Sequence, residues 1–408
     1  MTDVITDLRQ QAEADPSSVS PDALVRALST YPEEADAVGE VLATLDEAGE
    51  ARHAVAAVAD CLRDDDETVR AGAASALHDY LDGRSEPDTD LLKPLTRRLD
   101  DEYGVARRQA GAALRAMVRQ DPTVAVTAID RLPALLDGAN PRQTKIGLDL
   151  VEMVVETDAE AAVDLLAPLL EMLDSLPEME AGVIPVDGAG MGGGGPAYDQ
   201  YTSSAEQSQR LRIRLAALAH EILVSRPSAL DDHLDAVCTV LETVDAGAVR
   251  AHLAEALGHV ADGDPDTVAS AVAPLGALLA DDDQGVVVAA AWALGILAET
   301  HPQRVADVTA GHVESLEQLL SGDENAQIVS VGLLSYVCEN RPEVVDGISE
   351  ALVAQLAADS PNVRAMAAVG LGRASVTDAA PELRNRAEND PDEDVRAAAA
   401  DAVERLDA

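Results

Sequence analysis

Residues 64–81 read DDDETVRAGAASALHDYL, and variants of this stretch recur along most of the chain. An acidic turn leads into Val69 and Arg70, and small and apolar residues then return at the spacing of a helix. Five further stretches have the same form: DDEYGVARRQAGAAL at 100–114, DAGAVRAHLAEALGHVA at 245–261, DDDQGVVVAAAWALGILA at 281–298, DSPNVRAMAAVGLG at 359–372 and DPDEDVRAAAADAV at 390–403. The chain is therefore built from an internal repeat.

The distances between copies fit a repeat of two helices. Val69 and Ala106 are 37 residues apart, and Val249 and Val286 are again 37 residues apart, a period that two-helix solenoids use. Eight positions further on, each copy has an apolar residue: Leu77, Leu114, Leu257, Leu294, Leu371 and Val403. One helix pair cannot bury its own apolar stripe, so the copies must stack. This predicts an all-α solenoid of stacked antiparallel helix pairs.

The pattern of a turn aspartate, then Val-Arg, then spaced Ala and Leu resembles the HEAT repeat family, and in particular its short repeats named after phycobilisome lyases. The resemblance covers residues 64–157 and 225–408 well and the first 60 residues loosely. It implies a HEAT/armadillo-like superhelix. We expect one HEAT-like arm over residues 1–175 and a second over residues 204–408.

In that family, the turn aspartate and the helix arginine form a polar ladder between neighbouring repeats. The resemblance therefore implies ladder roles for eight residues: Asp66, Arg70, Arg107, Arg250, Asp359, Arg364, Asp392 and Arg396. The expected pairs are Asp66 with Arg70, Asp359 with Arg364, and Asp392 or Asp394 with Arg396. The copies at 281–298 and 321–340 lack the arginine, so we expect the ladder to be broken there.

The charge balance is extreme. The chain of 408 residues has 45 Asp and 30 Glu against 27 Arg and two Lys, which gives a net charge of −46. Regular apolar spacing accompanies these acids, and this favours a folded protein with an acidic surface over a disordered one. Such a surface repels itself unless salt screens it. We therefore expect a protein of a halophilic, haloarchaeal cytoplasm. The N-terminal stretch MTDVITDLRQQAEAD has no signal-peptide pattern, which also favours a cytoplasmic location.

The repeat pattern stops at residues 176–203, which contain seven Gly and three Pro. This composition predicts a flexible insertion between the two arms. It is either an inert spacer or a loop that binds a partner, in which case the contacts would come from Val183, Ile184, Pro185, Val186, Tyr198 and Tyr201. The glycine run is not a phosphate-binding loop, because no Gly-Lys-Ser/Thr follows it.

No catalytic, cofactor or metal site is predicted. Cys61, Cys238 and Cys338 are far apart in apolar helical stretches, which is typical of small buried residues. His220, His233, His252 and His259 lack the spacing of metal ligands. The triple aspartates at 64–66 and 281–283 precede helices, where carboxylates cap backbone amides. No nucleophile motif of a hydrolase is present.

These observations favour a non-enzymatic scaffold or adaptor that binds other proteins, with signalling such as taxis as one role. Two alternatives come from the family resemblance. One is a bilin-lyase-like or other enzyme-assisting protein, and the other is a nucleic-acid-associated protein. The second would depend on a small basic patch near Arg107, Arg108, Arg115 and Arg119, but nucleic-acid binding needs the opposite charge balance. We expect no membrane insertion.

The charge balance predicts that folding depends on salt. In salt-free buffer the helical circular-dichroism signal should fall well below its value in molar KCl. The Debye length shrinks from roughly 10 Å at 0.1 M to roughly 3 Å at 1 M, which screens the surface carboxylates. A full helical signal without salt would contradict this expectation.

Overall fold

The computed structural model describes residues 3–136, 141–176, 196–341 and 345–407, and within these ranges the chain is all-α. The helices are α1 Asp3–Ala14, α2 Pro21–Thr30, α3 Ala35–Glu47, α4 Ala51–Cys61, α5 Glu67–Asp82, α6 Leu92–Arg97, α7 Gly104–Gln120, α8 Thr123–Thr127, α9 Pro141–Asp158, α10 Leu166–Ser175, α11 Pro196–Ser225, α12 Leu230–Thr243, α13 Gly247–Gly263, α14 Pro265–Val268, α15 Val272–Ala277, α16 Gln284–Leu297, α17 Pro302–Thr309, α18 Val313–Leu319, α19 Glu324–Asn340, α20 Val345–Gln355, α21 Pro361–Arg373, α22 Ala380–Asn389 and α23 Glu393–Asp407.

The chain divides into two compact units, Met1–Met172 and Leu173–Ala408. In the first unit α3, α5, α7 and α9 pack side by side in one layer, and α4, α6 and α8 each pack on the helix that follows them. In the second unit the corresponding layer contains α11, α13, α16, α19, α21 and α23, while α12, α15, α18, α20 and α22 form the other layer. The prediction of an α-solenoid of stacked helix pairs is confirmed.

The first helix of several pairs is broken into short segments, as at residues 89–100, 123–135 and 265–280, whereas α4, α12, α20 and α22 are continuous. The sequence pattern predicts single helices over 87–99, 122–136 and 264–280. Short 3₁₀ stretches such as Ile129–Leu135 and Leu278–Ala280 interrupt them. Proline explains several breaks, since it lacks an amide hydrogen and clashes with the carbonyl four residues earlier. Pro168, predicted to kink a helix over 158–175, instead lies in the first turn of α10, where proline is tolerated.

The repeated apolar positions are the core of each layer. The leucines predicted to close each copy, Leu77, Leu114, Leu257, Leu294 and Leu371, are all fully buried. The small residues between them, such as Ala73 and Ala76, are also fully buried. Val403, at the same position in α23, is only half-buried, because no described helix packs beyond the last one. Each stripe is thus buried by the neighbouring copy.

The aspartates that precede the second helices are caps, as predicted. The Asp66 carboxylate accepts a hydrogen bond from the Thr68 amide at 2.8 Å, and the Asp283 carboxylate accepts one from the Gly285 amide at 2.8 Å. Each helix begins with amides that have no partner within the helix, and these carboxylates satisfy one of them. The acidic turns are therefore explained by helix capping.

The arginine after the cap links neighbouring repeats. Arg70 Nη1 donates to the backbone carbonyls of Asp64 and Asp65, at 3.0 and 3.1 Å. Its Nε and Nη2 donate to both carboxylate oxygens of Asp101, at 2.7 and 2.9 Å. Asp101 lies in the turn before α7, the second helix of the next repeat. One guanidinium therefore stabilises its own turn and joins it to the next.

The same arrangement recurs in the second unit. Arg364 Nη1 donates to the carbonyls of Ala358 and Asp359, and its other two nitrogens donate to the Asp390 carboxylate at 2.9 Å. Arg250 Nη2 lies 2.7 Å from the Asp281 carboxylate. Arg107 and Arg396 each donate to two backbone carbonyls of their preceding turns. Arg70, Arg107, Arg364 and Arg396 thus make the same contact with two carbonyls, while Arg250 Nη1 donates to the Val244 carbonyl and the Asp245 carboxylate.

The predicted aspartate partners are wrong, and the reason is geometric. The Asp66 carboxylate accepts from the Thr68 amide and the Asp392 carboxylate accepts from the Asp394 amide, so both cap the helix that follows. Asp359 contributes its backbone carbonyl to Arg364. The carboxylate that receives the fork of Arg70 or Arg364 is supplied by the next repeat, 31 or 26 residues further on.

The two copies that lack the ladder arginine do not make its contacts, as expected. Val287 occupies the arginine position in α16 and is buried. In α19, Gln327 replaces the arginine, and its amide nitrogen donates to the Gly322 carbonyl at 3.2 Å. The Glu324 carboxylate accepts hydrogen bonds from Ser360 and Asn362 at the start of α21. A glutamate at the helix start thus joins these two repeats where the arginine is missing.

We predict that Asp390→Ala lowers the free energy of unfolding of the second unit by about 3 kcal/mol, because it leaves the nearly buried Arg364 guanidinium without its carboxylate. Asp407→Ala is the matched control. It removes the exposed pair between Asp407 of α23 and Arg384 of α22, which should contribute less than about 1 kcal/mol. Urea unfolding at molar salt measures both, and equal losses would contradict a structural role for the ladder.

Candidate functional site

An open groove crosses the layer of second helices in the second unit. Two adjoining pockets of about 450 Å³ and 480 Å³ lie on α13, α16, α19 and α21, and they share Trp292, Ile328 and Val329. We call the combined feature the Trp292 groove. Its apolar surface is formed by Trp292, Ile296, Ile328, Val329, Met366 and Val369.

The groove contains apolar side chains that the fold leaves in contact with solvent. Met366 is 36% exposed and Val369 is 38% exposed. Among the residues that the structure describes, the other large hydrophobic side chains with comparable exposure are Val4 and Val224, which do not line the groove. Contiguous exposed apolar surface is typical of binding sites.

The position of Trp292 is fixed by close packing against α13. Gly258 lies directly under the indole ring, and a Cβ atom at that position would overlap the ring. The His259 imidazole packs edge-on against the indole, with ring centroids 4.8 Å apart. Trp292 is the one tryptophan in the sequence. Its fluorescence therefore reports on this groove alone.

Three histidines form a cluster beside the tryptophan. The His220 ring of α11 lies 6.0 Å from the His252 ring and 5.7 Å from the His259 ring, measured between centroids. Burial holds the pKa of His220 below its ordinary value, while Glu255 and Glu221 oppose this effect. No group of three or more potential metal ligands with suitable geometry occurs among the described residues. The cluster therefore packs against Trp292 through the His259 ring.

The charges along the groove are not evenly distributed. Glu255, Asp262 and Glu299 line it on the α13 and α16 side. Arg373, at the end of α21, lines it on the other side, and its guanidinium lies over the Tyr336 ring at 5.2 Å from the centroid. The groove thus has an acidic end beside Trp292 and a cationic end at Arg373.

Most residues predicted for a partner-binding loop cannot be placed. Val183, Ile184, Pro185 and Val186 lie outside the described residues. Tyr198 and Tyr201 fall within α11, which begins at Pro196. The predicted end of the insertion at residue 203 was therefore wrong. Glycine-rich sequence disfavours helices, so the composition around the glycines did not indicate where this long helix begins.

The three cysteines are free thiols. Burial raises the pKa of Cys61, Cys238 and Cys338 to about 11. A thiol with such a pKa is protonated at neutral pH and is a poor nucleophile. This agrees with the interpretation that they are small core residues.

The first unit has a pocket of about 390 Å³, lined mainly by residues of α3, α5 and α7. Within it the Gln109 amide donates to the Ser75 hydroxyl, which donates to the Asp36 carboxylate.

On α7, Arg115 pairs with Asp149 and Arg119 pairs with Asp82. These pairs neutralise two of the four arginines in the basic patch considered for nucleic acid.

The sequence interpretation missed the Trp292 groove. The uncharged run from Gln284 to Ala298 contains no motif that predicts a binding surface. Its lone tryptophan was a usable signal, since the rest of the core consists almost entirely of Ala, Leu and Val.

No helix among the described residues is both long and apolar enough to cross a membrane.

The family model for HEAT repeats matches residues 349–408. Over these residues the chain is similar to HEAT repeats. No curated protein matches the chain. Across the chain, the HEAT-like solenoid is similar to an engineered protein of known crystal structure, with 20% identity, full coverage of both chains and a TM-score of 0.57. It is also similar to a chain from a structure concerning the interaction between cadherin and beta-catenin, with 15% identity, coverage of 98% of this chain and 82% of that one, and a TM-score of 0.60.

We predict that His220 makes the second unit less stable in mild acid. Its lowered pKa means that the folded state prefers the neutral ring, so the unfolded state takes up protons first as the pH falls below about 6.5. The stability that the neutral ring supports is present above that pH and is lost as the pH falls through the lower folded pKa. Urea unfolding followed by Trp292 fluorescence at pH 7.5 and 5.5 measures this loss.

The control is the His220→Gln variant, which should lose less stability over the same pH interval than the unmodified protein. His53→Gln, a change at an exposed histidine in the first unit, should leave the pH dependence of the Trp292 transition unchanged. An identical pH dependence in the unmodified and His220→Gln proteins would contradict the assignment.

Proposed function

We propose that the protein is a non-enzymatic scaffold that binds a segment of another protein in the Trp292 groove. The observation that carries the proposal is the exposure of Met366 and Val369 in one pocket with the half-buried Trp292, Ile328 and Val329. Solenoids of this fold commonly present such surfaces to proteins and peptides. The relative that concerns cadherin and beta-catenin is another solenoid studied for a protein interaction.

The groove has suitable dimensions for a peptide segment. It crosses four neighbouring helices, and packed helices lie about 8–10 Å apart. Its span is therefore roughly 25–30 Å, which an extended chain of about eight or nine residues covers. The acidic residues near Trp292 suit a partner segment that carries a positive charge as well as apolar side chains. This is the occupant to which the proposal commits.

The wider setting of this function is also part of the proposal. We place the scaffold in the cytoplasm of a salt-loving cell, where its acidic surface is screened. A role in signalling, such as taxis, is supported only by the resemblance of the repeats to the HEAT family. The acid composition and the protonated cysteines favour a scaffold over the lyase-like and nucleic-acid-associated alternatives.

The proposal is tested by affinity purification from native cells at native salt. The Met366→Asp/Val369→Asp variant should lose any stoichiometric partner, because each carboxylate replaces an apolar contact in the groove. Val4→Asp/Val224→Asp is the matched control, since it places the same charges on the exposed hydrophobic residues outside the groove and should keep the partner. Equal recovery with both variants would overturn the proposal.

A further inference from the structure

We propose that the Trp292 groove selects a bipolar segment. A guanidinium of the partner stacks on Trp292, apolar side chains cover Ile328, Val329 and Met366, and a carboxylate binds Arg373. This inference rests on the proposed scaffold function and specifies the chemistry of the partner segment.

The acidic end has the groups that an arginine requires. The exposed part of the Trp292 indole lines both pockets of the groove, and tryptophan is the best aromatic partner for a cation. Glu255 lines one of these pockets, and Asp262 and Glu299 line the other. Arginine fits such a site better than lysine, because its planar group stacks on the ring while its edge donates to carboxylates.

The other end has the opposite charge. Arg373 is the one basic residue among those lining the two pockets. Its guanidinium is held over the Tyr336 ring, which leaves its edge available to a carboxylate. The same stacking of a guanidinium on an aromatic ring is what we propose for the partner at Trp292.

The distance between the two ends sets the spacing of charges in the ligand. Trp292 is on α16 and Arg373 is on α21, and α19 lies between them. Two helix spacings of about 8–10 Å give roughly 16–20 Å. An extended chain rises about 3.3 Å per residue, so the cation and the carboxylate are about six residues apart. Successive side chains of an extended chain point to opposite sides, so the residues two and four positions after the cation face the apolar surface together with the two charges.

The probe is the synthetic peptide acetyl-GRALVALDG-amide, titrated into the full-length protein while Trp292 emission is recorded with excitation beyond the tyrosine band. Titrations use the lowest salt that preserves the full helical circular-dichroism signal, so that charge contacts are not screened. The reference peptide, acetyl-GQALVALNG-amide, has the same shape without charges. We expect the charged peptide to bind roughly fivefold to tenfold more tightly, from one cation–aromatic contact and the exposed ion pairs.

Two protein variants identify the ends. Arg373→Glu should weaken the charged peptide roughly threefold or more and should prefer acetyl-GRALVALRG-amide, a reversal that a merely structural role for Arg373 would not produce. Glu255→Gln/Asp262→Asn/Glu299→Gln should remove the preference for the arginine. Its control, Asp232→Asn/Asp235→Asn/Glu314→Gln, removes the same three charges on α12 and α18 and should bind like the unmodified protein.

Equal binding of the charged and neutral peptides would overturn the bipolar inference and leave the scaffold proposal in place, since the latter is tested separately with Met366→Asp/Val369→Asp. A neutralised groove that still prefers arginine would also overturn it. The absence of any Trp292 response to all three peptides at saturating concentration would overturn it as well.

Discussion

The structure depends on one constraint, which is that a helix pair with a narrow stripe of Ala, Val and Leu cannot bury that stripe by itself. The stripe is buried only when the next copy packs on it, and small side chains allow the helix axes to come close. Leu77 and Leu294, in different units, are both fully buried for this reason. Every other feature is arranged on the layers that this packing creates.

The acidic turns and the arginines that follow them form the polar contacts between neighbouring repeats. A guanidinium such as that of Arg70 or Arg364 satisfies two carbonyls of its own turn and the carboxylate of the next repeat. In a chain with a net charge of −46, each pair also neutralises a carboxylate at a crowded position. Salt screens the surface carboxylates, whereas the nearly buried pairs are screened much less. The ladder and the predicted salt requirement therefore both follow from the same excess of acid.

The Trp292 groove lies where the sequence departs from the repeat pattern. Trp292 in α16 occupies the position of Ser75, Ala112, Glu255 and Val369 in other copies, and Gly258 on the neighbouring helix leaves room for its ring. Exposed Met366 and Val369 continue the apolar surface on α21. In the same part of the chain Val287 and Gln327 replace the ladder arginines. The second unit thus combines weakened polar links between repeats with its most apolar exposed surface.

The sequence by itself determined the fold class, the buried stripe and the capping role of the aspartates, because helical periodicity and turn chemistry depend on residues within about eight positions of each other. It also marked the arginines of the ladder. Only the tertiary structure decided their carboxylate partners, since Asp101 and Asp390 come from the next repeat. The groove likewise required three-dimensional packing, because Trp292, Met366 and Arg373 are separated by many residues and meet only when three copies stack. Contacts between repeats depend on how the repeats stack, and the local spacing of residues in the sequence does not specify this geometry.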